Sequence, residues 1–300
     1  MTRRELLRAL GVGTAGLCLP AQARPAARKY RFGYASITWG GNDRQAIEDI
    51  GSLGFRGIQI RANAVKTWGD SPNQLNDLLA QHRLEFVALS SGNVSGDPNA
   101  EAAELALHTR HARFVRDAGG RYLQVLDQRP AGREITADDY RRLADRLNAI
   151  GRRTADLGIP LGYHNHMNSL GEAPDEVDRI VEALDPRYVK LELDVAHYAQ
   201  GGGDPVRAIE LYGNDLLFMH LKDVESRPPR AGQPANRAFR FVELGRGRVD
   251  FPGIFRALSS SSFDGWIVVE LDAVPDNAGT PKASGEINKR YITDVLGLPV

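Results

Sequence analysis

Short apolar segments alternate with amphipathic helical segments along almost the whole chain, and no other sequence feature constrains the fold as strongly. Eight apolar, β-rich segments are predicted strands, at residues 31–39, 55–61, 85–90, 121–127, 159–166, 189–194, 216–223 and 266–272. Strict alternation of strands and helices predicts parallel strands joined by helical crossovers. Such units form either a closed barrel or a doubly wound open sheet.

Helix-start signals lie between the strands. Ser71-Pro72 and Asp204-Pro205 each place a capping residue before a proline, and acidic residues follow Thr136. The predicted helices cover residues 71–82, 99–118, 136–157, 174–184, 204–212, 251–258 and 285–296. Eight units in about 270 residues match a (β/α)8 TIM barrel. No Gly-x-Gly-x-x-Gly follows the first strand, which counts against a dinucleotide-binding open sheet. The predicted fold class is therefore α/β, with a single TIM-barrel domain over residues 28–300.

Residues 1–25 have the pattern of an export signal. Arg3 and Arg4 precede an apolar stretch, and Ala21-Gln22-Ala23 offers a small-x-small cleavage site. The arginine pair predicts export by the twin-arginine route, to a periplasmic or extracellular location. The alternative is an ordinary N-terminal segment. The one cysteine, Cys18, lies inside this segment, so the mature chain is expected to lack disulfides and thiolate metal sites.

The charge balance narrows the range of partners. The 38 basic and 38 acidic residues give a formal net charge of zero, which provides no attraction to nucleic acid or to an anionic membrane. No segment of the mature chain is apolar and long enough to span a membrane. The expected partner is a small molecule, and the sequence leaves the oligomeric state open.

Histidines and carboxylates stand at the ends of four consecutive predicted strands. His164 and His166 end the fifth, Asp194 ends the sixth, His220 lies on the seventh, and Glu270 lies near the end of the eighth. A barrel gathers these ends at one rim. Imidazole and carboxylate donors suit Mn²⁺, Co²⁺, Mg²⁺ or Zn²⁺. The pattern predicts a site for one divalent metal ion, against the alternative of isolated rim residues.

Ordered motifs at those strands carry a family resemblance. They are Tyr163-His164-Asn165-His166, Leu193-Asp194-Val195-Ala196-His197, Gly202-Gly203-Asp204-Pro205, His220-Leu221-Lys222-Asp223 and Trp266-Ile267-Val268-Val269-Glu270. The chain resembles the xylose isomerase-like TIM barrels of the sugar phosphate isomerase/epimerase superfamily. Within that group it is most similar to inosose dehydratase-type members.

The resemblance implies roles for individual residues. Asp194, His220 and Glu270 match three metal ligands, and His164 occupies the position of the fourth, which is commonly a glutamate. His197 matches a histidine that contacts substrate. Gln59 stands where the family frequently has a second-strand glutamate.

The implied chemistry is removal of a proton beside a carbonyl. A divalent cation on a ketone oxygen and a neighbouring hydroxyl acidifies the shared C–H and stabilises the enediolate. Glu270 is the predicted base, and His166 and Lys222 are candidate acids. Because His164 replaces one of the two carboxylates that inversion would use, a lyase is favoured over an isomerase or epimerase. Glu192 could restore the second carboxylate if it reaches the site, but its position two residues before Asp194 on the same strand favours pairing inside the barrel.

The substrate is expected to be a keto-sugar or keto-cyclitol. The predicted export favours an uncharged sugar such as a 3-keto-glycoside, supplied by a partner oxidoreductase. A non-catalytic exported sugar-binding barrel is the alternative from another class.

Other polar and aromatic features are less specific. Trp39 and Trp68 follow the first two strands and are predicted either to form a platform for a sugar ring or to pack in the core. The insertion 224–240 is predicted to be a flexible lid or a partner loop. The helical histidines are predicted to lie on the surface: His82, His108 and His111.

Overall fold

Eight parallel strands close into a barrel in the computed structural model, which describes residues 30–277 and 279–300. The strands are β1 Arg31–Ala35, β2 Gly57–Arg61, β3 Glu85–Val94, β4 Tyr122–Asp127, β5 Leu161–His164, β6 Val189–Asp194, β7 Leu216–Leu221 and β10 Trp266–Val269. Strand β1 pairs with both β2 and β10, which completes the ring. The predicted TIM barrel is confirmed. The predicted signal segment, residues 1–25, lies outside the described residues.

Ten α-helices follow or flank the strands in the described part of the chain. They are α1 Asp43–Leu53, α2 Ala64–Trp68, α3 Pro72–Gln81, α4 Glu101–Asp117, α5 Ala137–Ala155, α6 Pro174–Ala183, α7 Val195–Gln200, α8 Pro205–Tyr212, α9 Phe251–Ser259 and α10 Pro281–Arg290. The last predicted helix begins at Pro281 and ends in a π-helical turn, Tyr291–Val295. No described helix combines the length and apolar character that crossing a membrane requires.

An apolar plug fills the interior of the barrel at the N-terminal ends of its strands. Phe218, Trp266 and Val268 belong to a buried cluster of their own, distinct from the larger core. Gly57 leaves room for this plug, since a Cβ there would lie 2.6 Å from the Trp266 ring. With this end filled by apolar groups, the polar side chains of the strands collect at the opposite, C-terminal end.

A two-stranded antiparallel hairpin rises from the rim after β7. It consists of β8 Asp223–Ser226 and β9 Phe239–Val242, and it encloses the insertion predicted as a flexible lid or partner loop. Arg237 in its tip donates to Asn168 at 3.0 Å and forms an ion pair with Glu172 at 2.9 Å. These contacts tie the insertion to the loop that follows β5.

The prediction that His108 and His111 lie on the surface is wrong. His108 is fully buried and His111 is 6% exposed, because one face of α4 packs against β3. The Nδ1 atoms of the two rings lie 2.7 and 2.8 Å from the Ser91 hydroxyl. Burial, followed by the neighbouring charge of His111, lowers the pKa of His108 to about 4. The third histidine of this group, His82, is half-buried.

Acid should weaken the fold through His108. Below its ordinary pKa the unfolded chain takes up a proton that the folded ring refuses, so stability is lost as the pH falls from about 6.5 to about 4. The total loss is about 3 kcal/mol. Urea unfolding gives the free energy of unfolding at about pH 7.5 and at about pH 4.5, and we expect the difference between the two to be smaller in His108→Phe than in wild type. His82→Gln is the control and should keep the wild-type loss. An equal loss in wild type and His108→Phe would contradict this account.

Candidate metal centre

Four of the side chains singled out in the sequence converge at the C-terminal rim of the barrel. They are His164 at the end of β5, Asp194 at the end of β6, His220 in β7 and Glu270 just after β10. All four are buried, and their ligand atoms lie within 4.8 Å of one another. The strand register explains part of this convergence, because Asp194 and His220 are direct partners across β6 and β7.

The donor atoms of this cluster fit a divalent cation. His220 Nδ1 lies 3.5 Å from Asp194 Oδ2 and 3.4 Å from Glu270 Oε2. His164 Nδ1, Asp194 Oδ2 and His220 Nδ1 are buried and make no hydrogen bond within the described residues. Buried polar atoms without partners are costly. One cation would satisfy Asp194 Oδ2 and His220 Nδ1 together, whereas His164 Nδ1 faces Glu192 Oε2 at 2.5 Å. Nitrogen and oxygen donors of this kind suit a hard or borderline divalent metal ion.

A glutamine on β2 fixes the orientation of His220. Gln59 Oε1 accepts from His220 Nε2–H at 2.7 Å, and Gln59 Nε2 donates to Gln124 Oε1 at 3.4 Å. Because Nε2–H is bonded to Gln59, Nδ1 is the nitrogen that faces Asp194 and Glu270 and that would bind a cation in exchange for a proton. Burial by itself lowers the pKa of His220, but the carboxylates of Glu192 and Glu270 raise it to about 9. The amide that replaces the family's frequent glutamate therefore retains an acceptor for this imidazole.

Backbone contacts hold the Asp194 carboxylate. Its Oδ1 accepts from the N–H groups of Ala196 and His197, both at 2.8 Å, in the first turn of α7. Asn165 Oδ1 accepts from Asp194 N–H at 2.9 Å, and Asn165 Nδ2 donates to the Asp194 carbonyl at 3.3 Å. Oδ2 is thus directed at the cluster. Sequence reasoning missed this role of Asn165, although its position between two histidines was the available signal.

A fully buried ammonium group lies beside the four donors. Lys222 Nζ lies 2.9 Å from Glu270 Oε1 and 2.6 Å from Asp272 Oδ1. Burial by itself lowers the pKa of Lys222, but Asp272, Glu270 and Asp194 hold it above its ordinary value. Lys222 is therefore protonated at neutral pH. Asp272 was not among the predicted site residues, although it stands two residues after Glu270 and so reaches the same region.

Two further histidines border the cluster. His197 Nδ1 accepts from Met167 N–H at 3.2 Å, which leaves the proton of the neutral ring on Nε2. Burial and then the charge of Lys222 hold the pKa of His197 well below its usual value. His166 Nδ1–H donates to the Met167 carbonyl at 2.6 Å, which leaves the lone pair on Nε2. Burial, followed by His164 and Lys222, lowers the pKa of His166. Both rings are therefore neutral at neutral pH.

His164, His166 and His197 also form a second group whose ligand atoms lie within 4.8 Å of one another. Lys222 Nζ stands 3.2 Å from His197 Nε2. A positive charge so close opposes a second cation in this group. His166 and His197 are consequently better placed to meet an uncharged oxygen-bearing ligand than a metal.

The hairpin contributes an aromatic wall that the sequence analysis missed. The Phe241 ring lies 4.1 Å from Lys222 Nζ, and its centroid lies 4.8 Å from that of His197. By contrast, Trp39 and Trp68 are both buried in the main hydrophobic core. Trp39 Nε1 donates to Asp49 Oδ2 at 2.8 Å. The location of both tryptophans favours the packing alternative over a sugar-binding platform.

Comparison with known proteins places the chain in a family. The model of the xylose isomerase-like TIM barrel family matches residues 47–289. The chain belongs to this family. Inosose dehydratase of Geobacillus kaustophilus is 27% identical over 293 residues, which cover 88% of this chain and 94% of that protein. Inosose dehydratase of Lacticaseibacillus casei is 26% identical over 298 residues, which cover 89% of this chain and 98% of that protein.

Solved structures agree on the fold. The crystal structure of the IolI protein with a bound zinc atom has a TM-score of 0.75 to this chain at 18% identity. The match covers 89% of this chain and 98% of the IolI chain. At that identity the likeness is one of fold.

The prediction of export to the periplasm or the exterior is wrong. The similar proteins found are inosose dehydratases, and they do not support export. The preference for a 3-keto-glycoside rested on export alone, so it loses its basis. The error arose because a charged and then apolar N-terminus satisfies the pattern of a signal segment whatever follows it.

Gln59 offers a test of the arrangement around His220. We expect Gln59→Leu to weaken binding of Mn²⁺ roughly 10- to 100-fold, because His220 loses the acceptor that fixes its tautomer. Gln59→Glu keeps an acceptor at the same place and should bind Mn²⁺ nearly as well as the wild type. Competition with a chromophoric chelator measures the Mn²⁺ affinity of both variants. Equal Mn²⁺ affinities of Gln59→Leu and wild type would contradict this role.

Proposed function

We propose that the protein is a divalent-metal-dependent lyase that removes water from a keto-cyclitol of the inosose kind. The observation that carries the proposal is the buried, protonated Lys222 between Glu270 and Asp272, directly beside the four-donor cluster. Elimination of a hydroxyl needs a proton donor at that place. The relatives named inosose dehydratase support the same reaction and the same substrate class.

His164, Asp194, His220 and Glu270 would hold the metal ion. When bound, the ion supplies Lewis acidity that makes the C–H beside a carbonyl more acidic. The surrounding residues must then take up one proton and deliver another.

His166 is the better proton acceptor in this arrangement. Its Nδ1–H is committed to the Met167 carbonyl, and its lowered pKa keeps Nε2 unprotonated at neutral pH. Glu270, the base predicted from the sequence, accepts a hydrogen bond from Lys222. Burial alone would raise the pKa of Glu270, but the charges of His220 and Lys222 hold it well below its usual range. A carboxylate so stabilised is a weak base, so we assign Glu270 to the metal and to Lys222.

Lys222 is the proton donor for the leaving group. The C–H bond beside the carbonyl breaks and its proton passes to His166 Nε2, while the electron pair forms the new double bond. The C–O bond at the next carbon breaks, and the departing oxygen takes a proton from Lys222 and leaves as water. His197 Nε2–H and Lys222 Nζ–H are two donors 3.2 Å apart, which suits an acceptor oxygen bound between them.

The same geometry disfavours epimerisation. Inversion through a planar intermediate needs a second base on the opposite face of the substrate. Glu192 is fully buried and contacts His164 inside the barrel, so it does not extend toward the substrate side. With one base and one acid available, elimination remains the better match.

The proposal predicts metal-dependent loss of water from an inosose. Protein stripped with a chelator should be inactive, and Mn²⁺ should restore activity, with the product followed by mass spectrometry. We expect Lys222→Met to lower kcat roughly 100- to 10,000-fold, because the leaving hydroxyl loses its acid. Lys282→Met, at a half-exposed lysine on the surface, is the control. Tight binding of the inosose by wild type without loss of water would instead identify a non-catalytic binding protein.

The roles of His166 and Glu270 can be separated. His166→Gln should lower kcat roughly 100- to 10,000-fold while the affinity for Mn²⁺ stays near that of the wild type. Glu270→Gln should weaken Mn²⁺ binding, since it removes a ligand. If His166→Gln is fully active, and Glu270→Gln binds Mn²⁺ normally but turns nothing over, Glu270 is the base.

A further inference from the structure

A third carboxylate lies inside the barrel beneath the four donors. Glu192 stands two residues before Asp194 on β6, and its side chain is fully buried. Its Oε2 lies 2.5 Å from His164 Nδ1, and its Oε1 lies 3.5 Å from His220 Nδ1. Neither oxygen makes an aligned hydrogen bond with any described residue. Glu192 thus contacts both histidines of the cluster.

Burial of such a charged carboxylate destabilises the fold unless a positive charge compensates it. Burial of an ionised group without hydrogen bonds costs on the order of several kcal/mol, even after the surroundings relax. The ammonium of Lys222 is already committed to Glu270 and Asp272. The compensation available to Glu192 is therefore the proton of an imidazole that it faces and the cation that the imidazole holds.

The two histidines leave the cluster short of negative charge. Among the four donors only Asp194 and Glu270 are carboxylates, and Glu270 shares its charge with Lys222. A carboxylate behind a ligating imidazole orients the ring and makes it a stronger donor. Glu192 is close enough to do this for His164 and adds a third negative charge near the cation.

We propose that Glu192 is a positioning residue of the metal centre, which acts through His164. Its contact with Nδ1 directs His164 Nε2 toward the other ligands, and its charge makes that imidazole a stronger donor to the cation. In this chain His164, with Glu192 behind it, replaces a single carboxylate that would bind the metal directly. The inference rests on the proposed metal site, but it is read out by metal binding and not by turnover. A failure of the lyase reaction would therefore leave it standing.

Binding of Mn²⁺ to Glu192→Gln tests the proposal. We expect an affinity roughly 10- to 100-fold below wild type, measured by competition with a chromophoric chelator. The matched control is Glu243→Gln, which removes another buried carboxylate, one held by Ser284 and Arg246. That variant should be less stable than wild type yet bind Mn²⁺ with unchanged affinity. Wild-type affinity in a folded Glu192→Gln variant would overturn the proposal.

A double-mutant cycle separates positioning from other roles. In a His164→Gln background, Glu192→Gln should cause little further loss of affinity, because the ring through which Glu192 acts is gone. Fully additive losses would mean that Glu192 acts independently of His164, which contradicts the proposal. The exchange variant, with His164→Glu and Glu192→Gln together, should recover most of the wild-type affinity. If Glu192→Gln alone does not fold, the exchange variant provides the test. A folded exchange variant whose Mn²⁺ affinity stays far below that of the wild type overturns the proposal.

Discussion

The balance of charge buried at the C-terminal rim is the constraint on which the site depends. The carboxylates of Glu192, Asp194 and Glu270 are all buried there, and the ammonium of Lys222 contacts Asp194 and Glu270. A low-dielectric interior makes each uncompensated charge costly. His164 and His220 face these carboxylates, and the proposed cation would balance the remaining negative charge. The hydrogen bonds from Gln59 and Asn165 then determine where each donor points.

The same balance divides the chemical roles. Groups tied into the charge network, such as Glu270, have a depressed pKa and make poor bases. Groups outside the network but close to it, such as His166, are kept neutral by burial. Lys222 is kept protonated by its carboxylate partners, and a departing hydroxide is basic enough to take its proton. With the proposed roles, His166 accepts one proton and Lys222 donates another, which suits elimination better than inversion.

Periodicity and strand-end placement carried most of what could be predicted from the sequence. The alternation of strand and helix signals predicted the barrel, although the first unit lacked a predicted helix where the structure has Asp43–Leu53. Convergence of His164, Asp194, His220 and Glu270 followed from their positions at strand ends. The position of Glu192 inside the barrel followed from strand alternation, since it lies two residues before Asp194. The hydrogen bond from Gln59 could not be predicted, because it depends on strand register and rotamer. Phe241 reaches the site from a hairpin whose path the sequence does not encode in any short motif.

The errors have separate physical origins. His108 and His111 were assigned to the surface because histidine is polar, yet a neutral imidazole that bonds to Ser91 tolerates full burial. The export prediction relied on composition at one end of the chain, which the relatives contradict.

The central claim is that this barrel takes the proton next to a carbonyl and expels a hydroxyl, with the help of a divalent cation. An inosose deuterated at the carbon beside the carbonyl tests it most directly. With Mn²⁺ present, the account predicts a dehydrated product that has lost the deuterium to solvent, and a slower rate than with the unlabelled substrate. Without the metal there should be no product. A dehydrated product that retains the deuterium at that carbon would contradict the account.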